Sequence, residues 1–104
     1  MKIITVGRSA ENNIILFDDK VSGKHASLTL TNNNEFYVQD FNSTNGTFVN
    51  DHKISNEPFR LMPQDIVKIG QTVIPWQTYL SEEFKPQNIF EDNKPEMNKE
   101  KLKN

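Results

Sequence analysis

The chain has 104 residues, 35% hydrophobic and 25% charged, and its twelve lysines and arginines against fourteen aspartates and glutamates give a formal net charge of −2. That length holds one small core, and the charge balance excludes a broad nucleic-acid or anionic-membrane surface, which needs clustered basic residues. The absence of cysteine excludes disulfides, thiolate metal sites and a cysteine nucleophile.

In chain order, short runs rich in β-branched and aromatic residues fall at 2–6 (KIITV), 14–16 (IIL), 26–31 (ASLTLT), 35–40 (EFYVQD), 47–50 (TFVN), 65–69 (DIVKI) and 72–80 (TVIPWQTYL). Within 26–31, Ala26, Leu28 and Leu30 alternate with Ser27, Thr29 and Thr31, the period of a sheet with one buried face. No helical stripe of comparable strength precedes residue 80. Many closely spaced short strands predict an all-β sandwich or barrel. Pro75 cannot donate to a ladder, so the last run is expected to lie at an edge, to bulge or to break in two. After residue 81 the texture changes to mixed charges and two prolines, so residues 1–81 read as the domain and 82–104 as a polar, charged tail or linker. Phe84, Ile89 and Phe90 are the residues available to dock that segment on the sandwich. No apolar run approaches the roughly 18 residues of a membrane-spanning helix. The opening MKIITVGRSAENN lacks the long apolar stretch and cleavage site of a secretory signal, so a cytoplasmic location is expected.

Three loops hold most of the unusual residues: GRSAENN (7–13), DDKVSGKH (18–25) and NSTNG (42–46). Two strand-like runs separate the second loop from the third, so an antiparallel meander brings both to one end of the sheet, with Ser22 near Thr44 and Asn45. The first loop is separated from the second only by 14–16. Strict alternation sends it to the other end, unless a strand about 10 Å long at roughly 3.3 Å per residue lets its flanking loops converge; the sequence leaves both open. Convergence gathers Arg8, Lys20, Ser22, Lys24, His25, Thr44 and Asn45. A guanidinium fork, amines, hydroxyls and loop amides are the groups that bind phosphate. Asn45-Gly46 by itself is a strong hairpin signal. SGKH lacks the first glycine and the following helix of a P-loop. Ser22 and His25 lack a nucleophile elbow. Asn42-Ser43-Thr44 and Asn45-Gly46-Thr47 match the glycosylation acceptor but no signal peptide accompanies them, and His25 and His52 with scattered carboxylates make no metal site.

The stretches GRSAENNIILFDDKVSGKHASL, DFNSTNGTFVN and LMPQDIVKIG together resemble the forkhead-associated (FHA) domain, with Gly7-Arg8, Asn12, Asp18, Ser22-x-x-His25 and Ser43-x-Asn45-Gly46-Thr47 in order over roughly residues 3–75. The resemblance implies a β-sandwich of about eleven strands in two twisted, mainly antiparallel sheets, whose loops at one end bind a phosphothreonine peptide. It assigns phosphate contacts to Arg8, Ser22 and Thr44, and peptide contacts to Asn45 and Lys20, Lys20 falling where some members select the side chain three positions after the phosphothreonine. It assigns structural support to Gly7, His25, Ser43 and Gly46. Gly23 stands where other members often carry Asn or Arg reaching the peptide or phosphate, and Lys24 is the candidate to compensate. Asp51 and Gln64 replace glycines usual in two turns. The implied function is a non-enzymatic, cofactor-free, monomeric module recognising phosphothreonine on partners marked by a Ser/Thr kinase. No threonine follows Thr78, so the ligand is expected in trans. The alternative is a constitutive scaffold binding a partner through a sheet face.

Overall fold

The computed structural model describes residues 1–81 and the backbone of 89–91. Ten strands form: β1 Lys2–Gly7, β2 Ile14–Leu16, β3 Ala26–Leu30, β4 Phe36–Asp40, β5 Thr47–Val49, β6 His52–Lys53, β7 Phe59–Leu61, β8 Val67–Ile69, β9 Thr72–Ile74 and β10 Ile89–Glu91, with a single helical turn, α1 Trp76–Tyr79. The described residues thus carry ten strands where the family resemblance implies about eleven. A six-stranded sheet of order β10-β2-β1-β3-β4-β7 packs on a four-stranded one of order β6-β5-β8-β9. Alternation places Ile4 and Val6 of β1, Ala26 and Leu28 of β3 and Val38 of β4 in the core, against Val49, Val67, Ile69 and Ile74 of the smaller sheet.

Pro75 breaks the last run in two. Edge strand β9 ends at Ile74, and the Pro75 carbonyl accepts from the amides of Thr78 and Tyr79 to start α1. The turn pushes Trp76 and Tyr79 into the core. The Trp76 indole stacks edge-on to Phe36 with centroids 5.2 Å apart, and its Nε1 donates to the Asp65 carbonyl at 2.8 Å. The segment read as a tail contributes β10, which runs parallel to β2 with Ile89 opposite Ile14. Phe84 and the side chains of Ile89 and Phe90 lie outside the described residues.

Two connections decide where the loops go. Strands β1 and β2 are parallel, Val6 facing Ile14 and Gly7 facing Ile15. Both strands therefore end at the same end of the sheet, and this resolves the parity left open by the sequence. The first loop starts where the second starts because the chain doubles back within residues 8–13, not because β2 is short. The second connection, 41–46, passes from the large sheet to the small one, so Asn45-Gly46 is a turn but not a hairpin. Only Gly46 of that pair has positive φ, at 94°. The two-residue turn with both central residues at positive φ is Asn50-Asp51, φ 52° and 69°, closing β5 on β6.

Candidate functional site

At the end of β1 the chain runs against the second loop, with the Arg8 amide donating to the Ser22 carbonyl at 3.0 Å and the Ser9 amide to that of Gly23 at 3.1 Å. A Cβ on Gly7 would meet the Gly23 carbonyl oxygen inside contact distance, so glycine is required there by close approach. Buried Asn12 reinforces the seam, its Nδ2 donating to the carbonyls of Ser9 at 2.9 Å and Gly23 at 2.7 Å. At Gly23 itself an added Cβ meets nothing nearer than the Ser9 Cβ at 3.9 Å.

His25 ties the second loop to the third. It is fully buried, and its Nδ1 accepts from the Ser22 amide at 3.0 Å. A backbone N–H can only donate, so the proton sits on Nε2, which donates to the Gly46 carbonyl at 2.9 Å. Burial holds the His25 pKa below its ordinary value, against the opposing pull of the Gly46 bond and the nearby Asp40 charge. Asp40 shapes the third loop: its carboxylate accepts from the Ser43 hydroxyl at 2.6 Å, the Ser43 amide at 3.0 Å and the Thr47 hydroxyl at 2.7 Å. Burial alone would raise the Asp40 carboxyl, but these bonds outweigh it and hold its pKa low. The Ser43 hydroxyl in turn accepts from the Gly46 amide at 3.0 Å.

The polar ends face outward on this frame. The Thr44 amide donates to Ser22 Oγ at 3.1 Å, which leaves the Ser22 hydroxyl hydrogen to point to another acceptor. Asn45 Nδ2 donates to the Lys20 carbonyl at 3.0 Å. Half-exposed Arg8 extends its guanidinium toward Asp19, Nη1 to Oδ1 3.5 Å. Arg8, Ser22, Thr44, Asn45 and Lys20 are therefore brought together, with Gly7, His25, Ser43 and Gly46 beneath them. Lys24 is exposed on the same loop and makes no hydrogen bond or ion pair to these groups among the described residues. Asp18, a motif position with no role read from the sequence, anchors the second loop: its carboxylate accepts from the Lys20 amide at 2.8 Å, the Gln71 amide at 2.8 Å and the Thr72 hydroxyl at 2.7 Å. Thr47 sets the shape of the third loop through its bond to Asp40, as its place in the motif implies, whereas Asp40 carries no role in the sequence reading; an Asp three residues before a Ser is the local signal for such a loop bond.

The family model of the FHA domain matches residues 4–70. The chain belongs to that family. Over 71 residues this FHA domain is 35% identical to the FHA domain-containing protein FhaB of Mycobacterium tuberculosis, covering 68% of this chain and 44% of FhaB. The chain thus spans under half the length of this curated relative. Among solved structures it is similar to the FHA domain of CT664 from Chlamydia trachomatis, with a TM-score of 0.65, 30% identity, and 69% and 72% of the two chains covered. It is also similar to the N-terminal FHA domain of S. cerevisiae Rad53p, solved with a phosphothreonine peptide, with a TM-score of 0.60, 30% identity, and 66% and 56% covered.

Proposed function

We propose that this FHA domain binds a phosphothreonine-containing segment of a partner protein in trans, as a recruiting module downstream of a Ser/Thr kinase and not as an enzyme. The observation that carries the reading is the pair of bonds joining Ser22 to both other loops, Arg8 amide to Ser22 carbonyl and Thr44 amide to Ser22 Oγ. They support the reading by joining, at one end of the sandwich, the backbones that bear the Arg8 guanidinium and the Ser22 and Thr44 hydroxyls. In this reading Arg8 takes two phosphate oxygens through its fork, Ser22 and Thr44 donate to the others, and Lys24 supplies unspecific positive charge. Asn45 and Lys20 face the peptide main chain and its flanking side chains, beside Gly23, which offers only backbone. The net charge of −2 fits a protein ligand rather than nucleic acid or a lipid surface.

No helix among the described residues is long and apolar enough to cross a membrane, and we place the module in the cytoplasm, as a monomer without a cofactor. The outward positions of β3 and β4 are Ser27, Thr29, Tyr37 and Gln39, and with exposed Ile3 of β1 opposite Thr29 that face is of mixed character.

The test is calorimetry with a phosphothreonine peptide library and its dephosphorylated counterpart. Arg8→Ala should leave the melting temperature unchanged and weaken phosphopeptide binding by about 2 to 5 kcal/mol, the scale of removing one partner of a hydrogen-bonded charge pair. A folded mutant with wild-type affinity would remove Arg8 from the site.

A further inference from the structure

The guanidinium assigned to phosphate already has a partner. Arg8 Nη1 lies 3.5 Å from Asp19 Oδ1, and the Asp19 side chain is fully exposed, with no other hydrogen bond or ion pair among the described residues. Its neighbour Asp18 is spent on the scaffold, bound to Gln71 and Thr72. The loops at this end carry Arg8, Lys20 and Lys24 against Glu11, Asp18 and Asp19, with the Lys53 side chain of β6 lying beside Gly46, so the rim has little net charge before a ligand arrives. A phosphate dianion would turn it negative and strip Asp19 of its cation in the same event.

Resting on the phosphopeptide reading above, we propose that Asp19 is a specificity-determining residue. It weakens binding by competing for Arg8, and it favours phosphopeptides with a lysine or arginine flanking the phosphothreonine. A ligand that brings its own cation gives Asp19 a new partner as the phosphate removes the old one, whereas an uncharged or acidic flank leaves two anions side by side. There is room for such a side chain: Phe17, Asp18, Asp19 and Gln71 border a concavity of about 330 Å³. Lys20, whose ammonium is also exposed, pulls the other way, so the preference for a cation belongs to the peptide position that reaches Asp19 and not to every flank.

The test uses the full 104-residue chain and fluorescence anisotropy with phosphothreonine peptides of one background sequence, in which each flanking position is singly lysine, alanine or glutamate. Wild type should bind the best lysine peptide about two- to fivefold tighter than its alanine counterpart, the range of an exposed ion pair. Asp19→Asn, isosteric at an exposed position, should keep the melting temperature, erase that preference and tighten the alanine peptide by a similar factor. Raising the salt concentration should shrink the wild-type preference. The same lysine preference in Asp19→Asn, or no tightening of the alanine peptide, overturns the inference while phosphate dependence persists. Loss of phosphate dependence in wild type itself overturns the phosphopeptide reading and this inference with it.

Discussion

His25 ties the second binding loop to the third, and it does so only when neutral. Protonating it would put a hydrogen on Nδ1, where the Ser22 amide now donates at 3.0 Å, so the second loop would lose this one of its ties. Burial lowers its folded-state pKa from the ordinary value of 6.5. The unfolded chain therefore binds this proton more readily than the folded one, and stability rises with pH through the window between the two values. The contribution is fully present above about pH 6.5 and is lost as pH falls toward the depressed value. Asp40, held below its ordinary 3.8 by Ser43 and Thr47, adds a second loss at lower pH in the same direction. Melting temperatures should fall between pH 7 and pH 5, with a slope of at most about 1.4 kcal/mol per pH unit from this one group. His25→Gln, whose amide can donate toward Gly46 but does not titrate, should flatten that slope from a lower starting stability. A slope in this window that survives the substitution would assign the titration to another group.

Among the elements, the β5–β6 hairpin shows how one backbone conformation is held by two unlike residues. Asn50 and Asp51 both take left-handed φ, a conformation that costs ordinary L-residues roughly 1–2 kcal/mol. Asn50 is compensated: its Nδ2 donates to Asp65 Oδ1 at 2.9 Å and its Oδ1 accepts from the Ile66 amide at 3.0 Å. Asp51 makes no hydrogen bond or ion pair among the described residues. Asp51→Gly should therefore stabilise the domain by about 0.5–1 kcal/mol, the relieved strain exceeding the extra entropy of an unfolded glycine. Thermal melting checks it, and a lowered midpoint would mean that Asp51 is not strained. This element also marks what the sequence could and could not display. The run TFVN and the turn residues after it are visible, but β6 is two exposed residues and β7 is FRL, too short for any period to register. The loop residues Arg8, Ser22, Thr44 and Asn45 were legible because their types and spacings match a family. The parallel pairing of β1 with β2 was not, because no local pattern distinguishes a doubled-back loop from a reversal. Asp18 lay in plain view as a motif residue, but its partners Gln71 and Thr72 are more than fifty residues away.

At the scale of the whole molecule, the question is whether the site-bearing unit closes before β10. Among the described residues the hydrophobic core cluster is assembled from 1–81, as are the three loops. Strand β10 adds three residues to the edge of β2, parallel, with Ile89, Phe90 and Glu91 opposite Ile14, Ile15 and Leu16. Ladder hydrogen bonds contribute about 0.5–1.5 kcal/mol each net, while fixing each added residue costs roughly 1–2 kcal/mol of backbone entropy. The two nearly cancel, so β10 is worth on the order of 1 kcal/mol or less unless its side chains pack. We therefore propose the boundary at Ser81. Removing residues 82–104 should leave a cooperatively folded domain whose melting temperature is lower by at most about 4–8 °C, the shift that 1 kcal/mol produces at this size. Phosphopeptide affinity should stay within about twofold, because β2 feeds the second loop through Asp18, which is anchored on Gln71 and Thr72 rather than on β10. Calorimetric melting and a binding isotherm on the shortened chain decide the matter. An unfolded product would place the boundary beyond β10. A folded product with affinity lost would mean instead that the edge strand holds the second loop in its binding geometry.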